Sequence, residues 1–160
     1  MNAKGISLFE VLIAVLILSF GLLGMLALLL SGLKLTTSSN FRNIATLESQ
    51  SMADLLRGDP RNLTLYNSPA NAVDANCFTA TNCTSMQTRV QTEFSLWLAQ
   101  LAAMLPSGTG TICQDSTPTD GTPGNWACDG LATSQFVVKV CWDESSVPTS
   151  SATVCIQTNI

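Results

Sequence analysis

Histidine is absent from this 160-residue sequence, tyrosine occurs once, and lysine and arginine together number 7 against 11 aspartates and glutamates. Each shortage closes a class of function. Without histidine the commonest general base and the commonest metal ligand are both missing. The cations Lys4, Lys34, Arg42, Arg57, Arg61, Arg89 and Lys139 are dispersed along the chain, so no basic stripe exists to track a phosphate backbone and nucleic acid is not an expected partner. There is no Gly-rich phosphate loop, no C-x-x-C spacing for zinc and no evident carboxylate pair; no catalytic residue, metal or cofactor is expected, and the chain reads as a non-enzyme. Asp115, Asp120, Asp129, Asp143 and Glu144 match no calcium-loop spacing, and the expectation for them is a solvated surface.

What the chain has in excess is one apolar run. Residues 6–33, ISLFEVLIAVLILSFGLLGMLALLLSGL, are broken only by Glu10 and by small polar residues and glycines. At about 1.5 Å per residue this exceeds the roughly 30 Å hydrocarbon core of a bilayer. A removable secretory signal has a shorter apolar stretch and no acid near its start, and a lipoprotein signal needs a cysteine directly after the run, whereas the first is Cys77. Two readings remain: an ordinary anchor, or a helix that is first an anchor and later an assembly element. Glu10 separates them, because an ionisable side chain at membrane depth costs about 2.5–3.5 kcal/mol on the mildest scale and calls for a partner. No cation in the run supplies one. Cleavage after Gly5 would create an amine on Ile6, one helical turn before Glu10 and on the same face.

Lys4-Gly5-Ile6-Ser7-Leu8-Phe9-Glu10-Val11-Leu12 resembles the class III signal of type IV prepilins and pseudopilins. The resemblance implies that Met1–Gly5 is a basic leader with Lys4 holding it inside, that a prepilin peptidase cuts between Gly5 and Ile6, and that Ile6 is N-methylated. It makes Glu10 the acid that registers one subunit against the N-terminal amine of another. The family more often has Phe where this chain has Ile6.

Beyond the membrane, Leu35, Phe41, Ile44, Leu47, Met52, Leu55 and Leu56 recur at helical intervals, and Gly58-Asp59-Pro60 is a stop. Thr36-Thr37-Ser38-Ser39-Asn40 are poor helix formers, expected to bend this helix if anything does, and Gly21 and Gly24 are open between loosening it and packing it closely. Residues 59–84 read as a tied-down loop. A second helix carries the stripe Val90, Phe94, Trp97, Leu98, Leu101 and Leu105, ended by Pro106. A short strand is expected near Thr111–Cys113, a Pro/Gly/Asp loop over Asp115–Gly130, a strand with Phe136, Val138, Val140 and Trp142 on one face, and another around Val154 and Ile156.

The six cysteines all follow the apolar run, which suits three disulfides in an exported head. A hairpin that pairs Cys141 with Cys155 has its midpoint at Pro148, inside a Ser/Pro/Thr loop, and this register favours that bridge. Of the 15 connectivities that six cysteines allow, the local one then adds Cys77 to Cys83 and Cys113 to Cys128.

The expected fold is α+β and type IV pilin-like: leader 1–5, transmembrane and assembly helix 6–33, periplasmic half of that helix 34–57, and globular head 58–160. The Trp-containing helix, the Leu-Pro-x-Gly-x-Gly turn at Leu105–Gly110 and a strand ending in Trp142-Asp143 resemble PilV-like minor pilins. The resemblance implies a subunit made in the bacterial inner membrane with its head in the periplasm, then moved into a pilus at the cell surface. Implied partners are the peptidase, the assembly platform, the major pilin and other minor pilins, with a tip adhesin left open. Two alternatives stand beside it, a minor pseudopilin of a type II secretion system and an adhesive recognition module at the pilus tip.

Overall fold

Helix propensity and apolar periodicity both favour one long element at the start of the chain. In the computed structural model, which describes residues 8–78, 83–144 and 153–160, helix α1 runs Leu8–Gly58 over 51 residues. It ends where Pro60 removes a backbone donor, and Asp59 N–H closes the last turn on Leu56 O at 3.1 Å. The polar stretch at 36–40 stays helical. Thr36 and Thr37 donate their hydroxyls to the carbonyls of Gly32 and Leu33, each at 2.9 Å, so these side chains bond to their own helix instead of competing with it.

The chain divides into two compact units, Met1–Asn40 and Phe41–Ile160. In the second unit α1 buries Ala45, Ser49, Met52, Ala53 and Leu56. Counted from Ala45 those positions are i, i+4, i+7, i+8 and i+11, as one face of a helix requires. Ala45, Ser49 and Ala53 are small and let neighbouring elements come close. The Ser49 hydroxyl bonds the Thr158 hydroxyl at 2.8 Å, and Trp97 Nε1 donates to the main-chain carbonyl of Glu48 at 3.3 Å.

Two short 3-10 turns, Leu63–Tyr66 and Ala75–Phe78, punctuate the following loop. Buried Tyr66 donates its hydroxyl to Glu93 at 3.1 Å. Helix α2, Met86–Met104, starts at a capping box: Ser85 Oγ accepts Thr88 N–H at 3.1 Å and Thr88 Oγ1 accepts Ser85 N–H at 3.0 Å. Threonine here does what Glu or Gln does in the usual pattern. Ser85→Ala is expected to lower stability by about 1 kcal/mol, read as a downward shift of the denaturant midpoint at constant slope. The α2 residues Val90, Phe94, Trp97 and Leu101, with Leu105 just beyond the helix, are all buried in the core, and Leu98 is partly buried against it.

Strands β1 (Thr109–Gln114), β2 (Phe136–Asp143) and β3 (Thr153–Asn159) form an antiparallel sheet in the order β1-β2-β3. Ile112, Val138, Val140 and Trp142 enter the core shared with both helices. The alternation along β2 predicts one buried face, but Val137, Lys139 and Cys141 are buried as well. Their cover is the segment between β1 and β2, which folds back over the other face of the sheet. Gly121, at φ +88° and packed on the Trp126 main chain, turns that segment in a conformation glycine tolerates.

The disulfides join Cys77 to Cys83, Cys113 to Cys128 and Cys141 to Cys155. Cys141 and Cys155 are direct register partners with Cα atoms 4.1 Å apart. Such a short distance suits a pair that exchanges no main-chain hydrogen bonds.

Candidate functional site

Between Leu8 and Leu35 every large apolar side chain of α1 is exposed, from Leu8 at 80% to Ile13 at 44%, and these residues lie all round the helix. A soluble core helix buries such residues; here apolar surface on all sides is available to lipid or to other helices. The helix is long and apolar enough to cross a membrane, with Glu10 as the acid in its first turn. Gly5 and Ile6, the expected cleavage and methylation positions, lie outside the described residues, as does Pro148. Gly21 and Gly24 have nothing within 4 Å of an added Cβ, so neither packs closely against another part of its own chain.

The acidic residues of the head need a correction, because several are engaged rather than solvated. Asp115 is fully buried and its carboxylate lies 2.5 Å from Lys139 Nζ, whose side chain is only 4% exposed. The same ammonium meets Asp120 Oδ1 at 3.3 Å and donates to the carbonyls of Asp120 at 3.0 Å and Trp126 at 2.9 Å. Burial opposes ionisation of Asp115, but the hydrogen bond and charge of Lys139, with Thr117 N–H at 2.9 Å on the other oxygen, hold its carboxyl below the ordinary range. Glu144 pairs with Arg42 at 3.3 Å and accepts Trp142 Nε1–H at 3.2 Å. Asp129 is exposed but accepts bonds from Ser116, Leu131 and Ser134, which draw it down to about 2.

These groups tie the 115–130 segment to the sheet; they do not converge on an open reaction centre. The Asp115 carboxylate lies within 4.8 Å of the Cys113 and Cys128 sulfurs, but those sulfurs are bonded to each other and the carboxylate is committed to Lys139. A cavity of about 150 Å³ adjoins Asp120, Trp126, Lys139 and Gln157, and its one buried cation is already saturated by protein oxygens. Sequence spacing gave no signal for the Asp115–Lys139 pair, since the partners are far apart along the chain and neither belongs to a motif. The feature with functional reach is therefore the exposed helix and its acid. Comparison of the chain with family models, with curated proteins and with solved structures finds no match.

Proposed function

We propose that this chain is a minor pilin subunit of a type IV pilus: a precursor anchored in the bacterial inner membrane, cut between Gly5 and Ile6, methylated on Ile6, and transferred into the filament through its N-terminal helix. The observation that supports this most is the Leu8–Leu35 segment, apolar all round and exposed all round, with a carboxylate near its start. Such a surface suits lipid first and a bundle of like helices afterwards. In the second setting Glu10 meets the free amine of a neighbouring subunit. The prepilin-like run from Lys4 to Leu12 supports the same reading. Partners on this reading are the peptidase, the assembly platform, the major pilin and other minor pilins.

Intact mass of the membrane-extracted protein, with and without its peptidase, tests this directly. Loss of Met1–Gly5 and gain of one methyl group are expected; an unchanged precursor beside an active peptidase would overturn the proposal. If the carboxylate–amine pair contributes about 1.5–3 kcal/mol, as hydrogen bonds to charged groups do, Glu10→Ala lowers incorporation into sheared filaments by about ten- to a hundredfold. Membrane insertion and head stability are expected to stay unchanged. Equal incorporation of the variant would leave Glu10 without this role.

A further inference from the structure

Among the described residues, Asp115 and Lys139 are the two charged side chains that are buried. Removing an ion pair from water often costs more than its attraction returns, and the filament reading makes no use of this one. What surrounds the pair suits an amine about to react with a carboxyl carbon. Lys139 Nζ lies 2.5 Å from Asp115 Oδ2, an oxygen that no other described group donates to. Asp115 Oδ1 instead accepts the Thr117 N–H at 2.9 Å. A second carboxylate reaches the same ammonium: Asp120 Oδ1 is 3.3 Å from Nζ, and the Thr117 hydroxyl holds Asp120 Oδ2 at 2.9 Å.

We propose that Lys139 and Asp115 become joined by an intramolecular amide bond between Nζ and Cγ, with loss of one water, and that Asp120 is the base that assists it. One proton of the ammonium passes straight to Oδ2 across their short contact. The freed amine attacks Cγ, and the negative charge that gathers on Oδ1 meets the Thr117 N–H, which serves as an oxyanion donor. Asp120 takes a second proton from the nitrogen and hands it to Oδ2, whose bond to Cγ breaks as water leaves. A cation and an anion thus give one neutral amide and one water, and Asp120 ends as it began. The reaction consumes no oxidant and no activated co-reactant.

The fold supplies what this condensation lacks in water. Groups held in contact react as if present at about 10⁵–10⁸ M, and the product removes two charges from a dry interior. The new amide N–H has Trp126 O as an acceptor, and the adjoining cavity of about 150 Å³ has room for the released water beside Asp120. Closure is slow, because the ammonium must first give up a charge held by oxygens of Asp115, Asp120 and Trp126. The chain therefore folds with the salt bridge, freshly made protein carries it, and the amide accumulates with age. This inference does not depend on the filament reading.

Tryptic mapping of the full-length protein, sampled over days of incubation and then reduced and unfolded, tests it. No lysine or arginine lies between Arg89 and Lys139 or after Lys139, so fresh protein is cut into peptides 90–139 and 140–160. Trypsin does not cut after an amidated lysine. The expected product is a single peptide 90–160, lighter by one water, in a fraction that rises with time. Asp120→Asn changes an exposed position, keeps the Asp115–Lys139 contact, and is expected to slow closure at least a hundredfold without altering the fold. Complete cleavage after Lys139 at the end of the incubation, with peptide 90–139 at full mass, would overturn the proposal. So would loss of water from a peptide that still ends at Lys139, which would assign the loss to a cyclic imide at Asp120-Gly121 or Asp129-Gly130. Closure as fast in Asp120→Asn as in wild type would overturn the role of Asp120.

Discussion

Replacing Lys139 with alanine is expected to destabilise the Phe41–Ile160 unit by about 3–5 kcal/mol, measured by denaturant unfolding followed through tryptophan fluorescence. The size of the effect comes from what remains. Asp115 would be buried with its counter-charge gone, and the carbonyls of Asp120 and Trp126 would lose their donor. The double variant Lys139→Met/Asp115→Leu removes the stranded charge and is expected to recover most of the loss.

The pH dependence carries a sign that tests the same explanation. In the wild type Asp115 is held below its ordinary value, so its contribution is fully present above the unfolded carboxyl value of about 4 and is lost as pH falls through the folded one. Asp129, drawn down to about 2, loses its contribution over the same descent. In Lys139→Ala the Thr117 bonds remain, but burial, the largest influence on Asp115, is no longer offset by a counter-charge and raises its carboxyl, which then favours the folded state most when protonated. Between neutral pH and about pH 4 the gap between variant and wild type is therefore expected to narrow. A gap that stays constant over this range would contradict the buried-charge account.

Trp97→Ala is expected to cost about 3–5 kcal/mol through the cavity it leaves. The indole packs against Phe94 with ring centroids 5.9 Å apart, bonds the Glu48 carbonyl on α1 and lies over Gly110 at the start of β1. It thus joins both helices to the sheet. A Cβ on Gly110 would collide with the outer atoms of that indole and lie 2.9 Å from Lys139 O, so Gly110→Ala alone is expected to cost about 1–3 kcal/mol. Trp97→Ala removes the nearer of the two obstacles and leaves only Lys139 O, so the double variant is expected to be more stable than the sum of the single effects implies. Strict additivity would show that Gly110 is not held to glycine by the indole.

Much of this architecture was legible because it rests on local repetition. The apolar run and its stop at Gly58-Asp59-Pro60 marked α1, the spacing of Val90, Phe94, Trp97 and Leu101 marked α2, and alternation marked β2. The register of Cys141 with Cys155 could be read because the hairpin midpoint fell in a turn-forming stretch. What stayed hidden depends on residues distant in sequence. A lysine in an alternating strand reads as facing solvent until the 115–130 segment covers it, and Asp115 reads as surface until Lys139 meets it. The 36–40 stretch, made of poor helix formers, is helical within the continuous α1 that the periodicity expects, and Thr36 and Thr37 satisfy their hydroxyls within the helix. Of the candidate site, Glu10 and the exposed apolar surface were legible from composition alone, while Gly5 and Ile6 rest on the motif.

The pattern of disulfides also bears on how the chain matures. The bridges span 6, 15 and 14 residues, and none of the closed loops overlaps or encloses another. Every cysteine is therefore bonded to its immediate neighbour in the series of cysteines. A chain that meets an oxidant as it emerges from its N-terminal end finds the correct partner for each thiol next in line, and the short loops carry only a modest entropy of closure. Vectorial emergence alone can then select one connectivity from 15, and the product needs no reshuffling of mispaired bonds before the helices and sheet close over them.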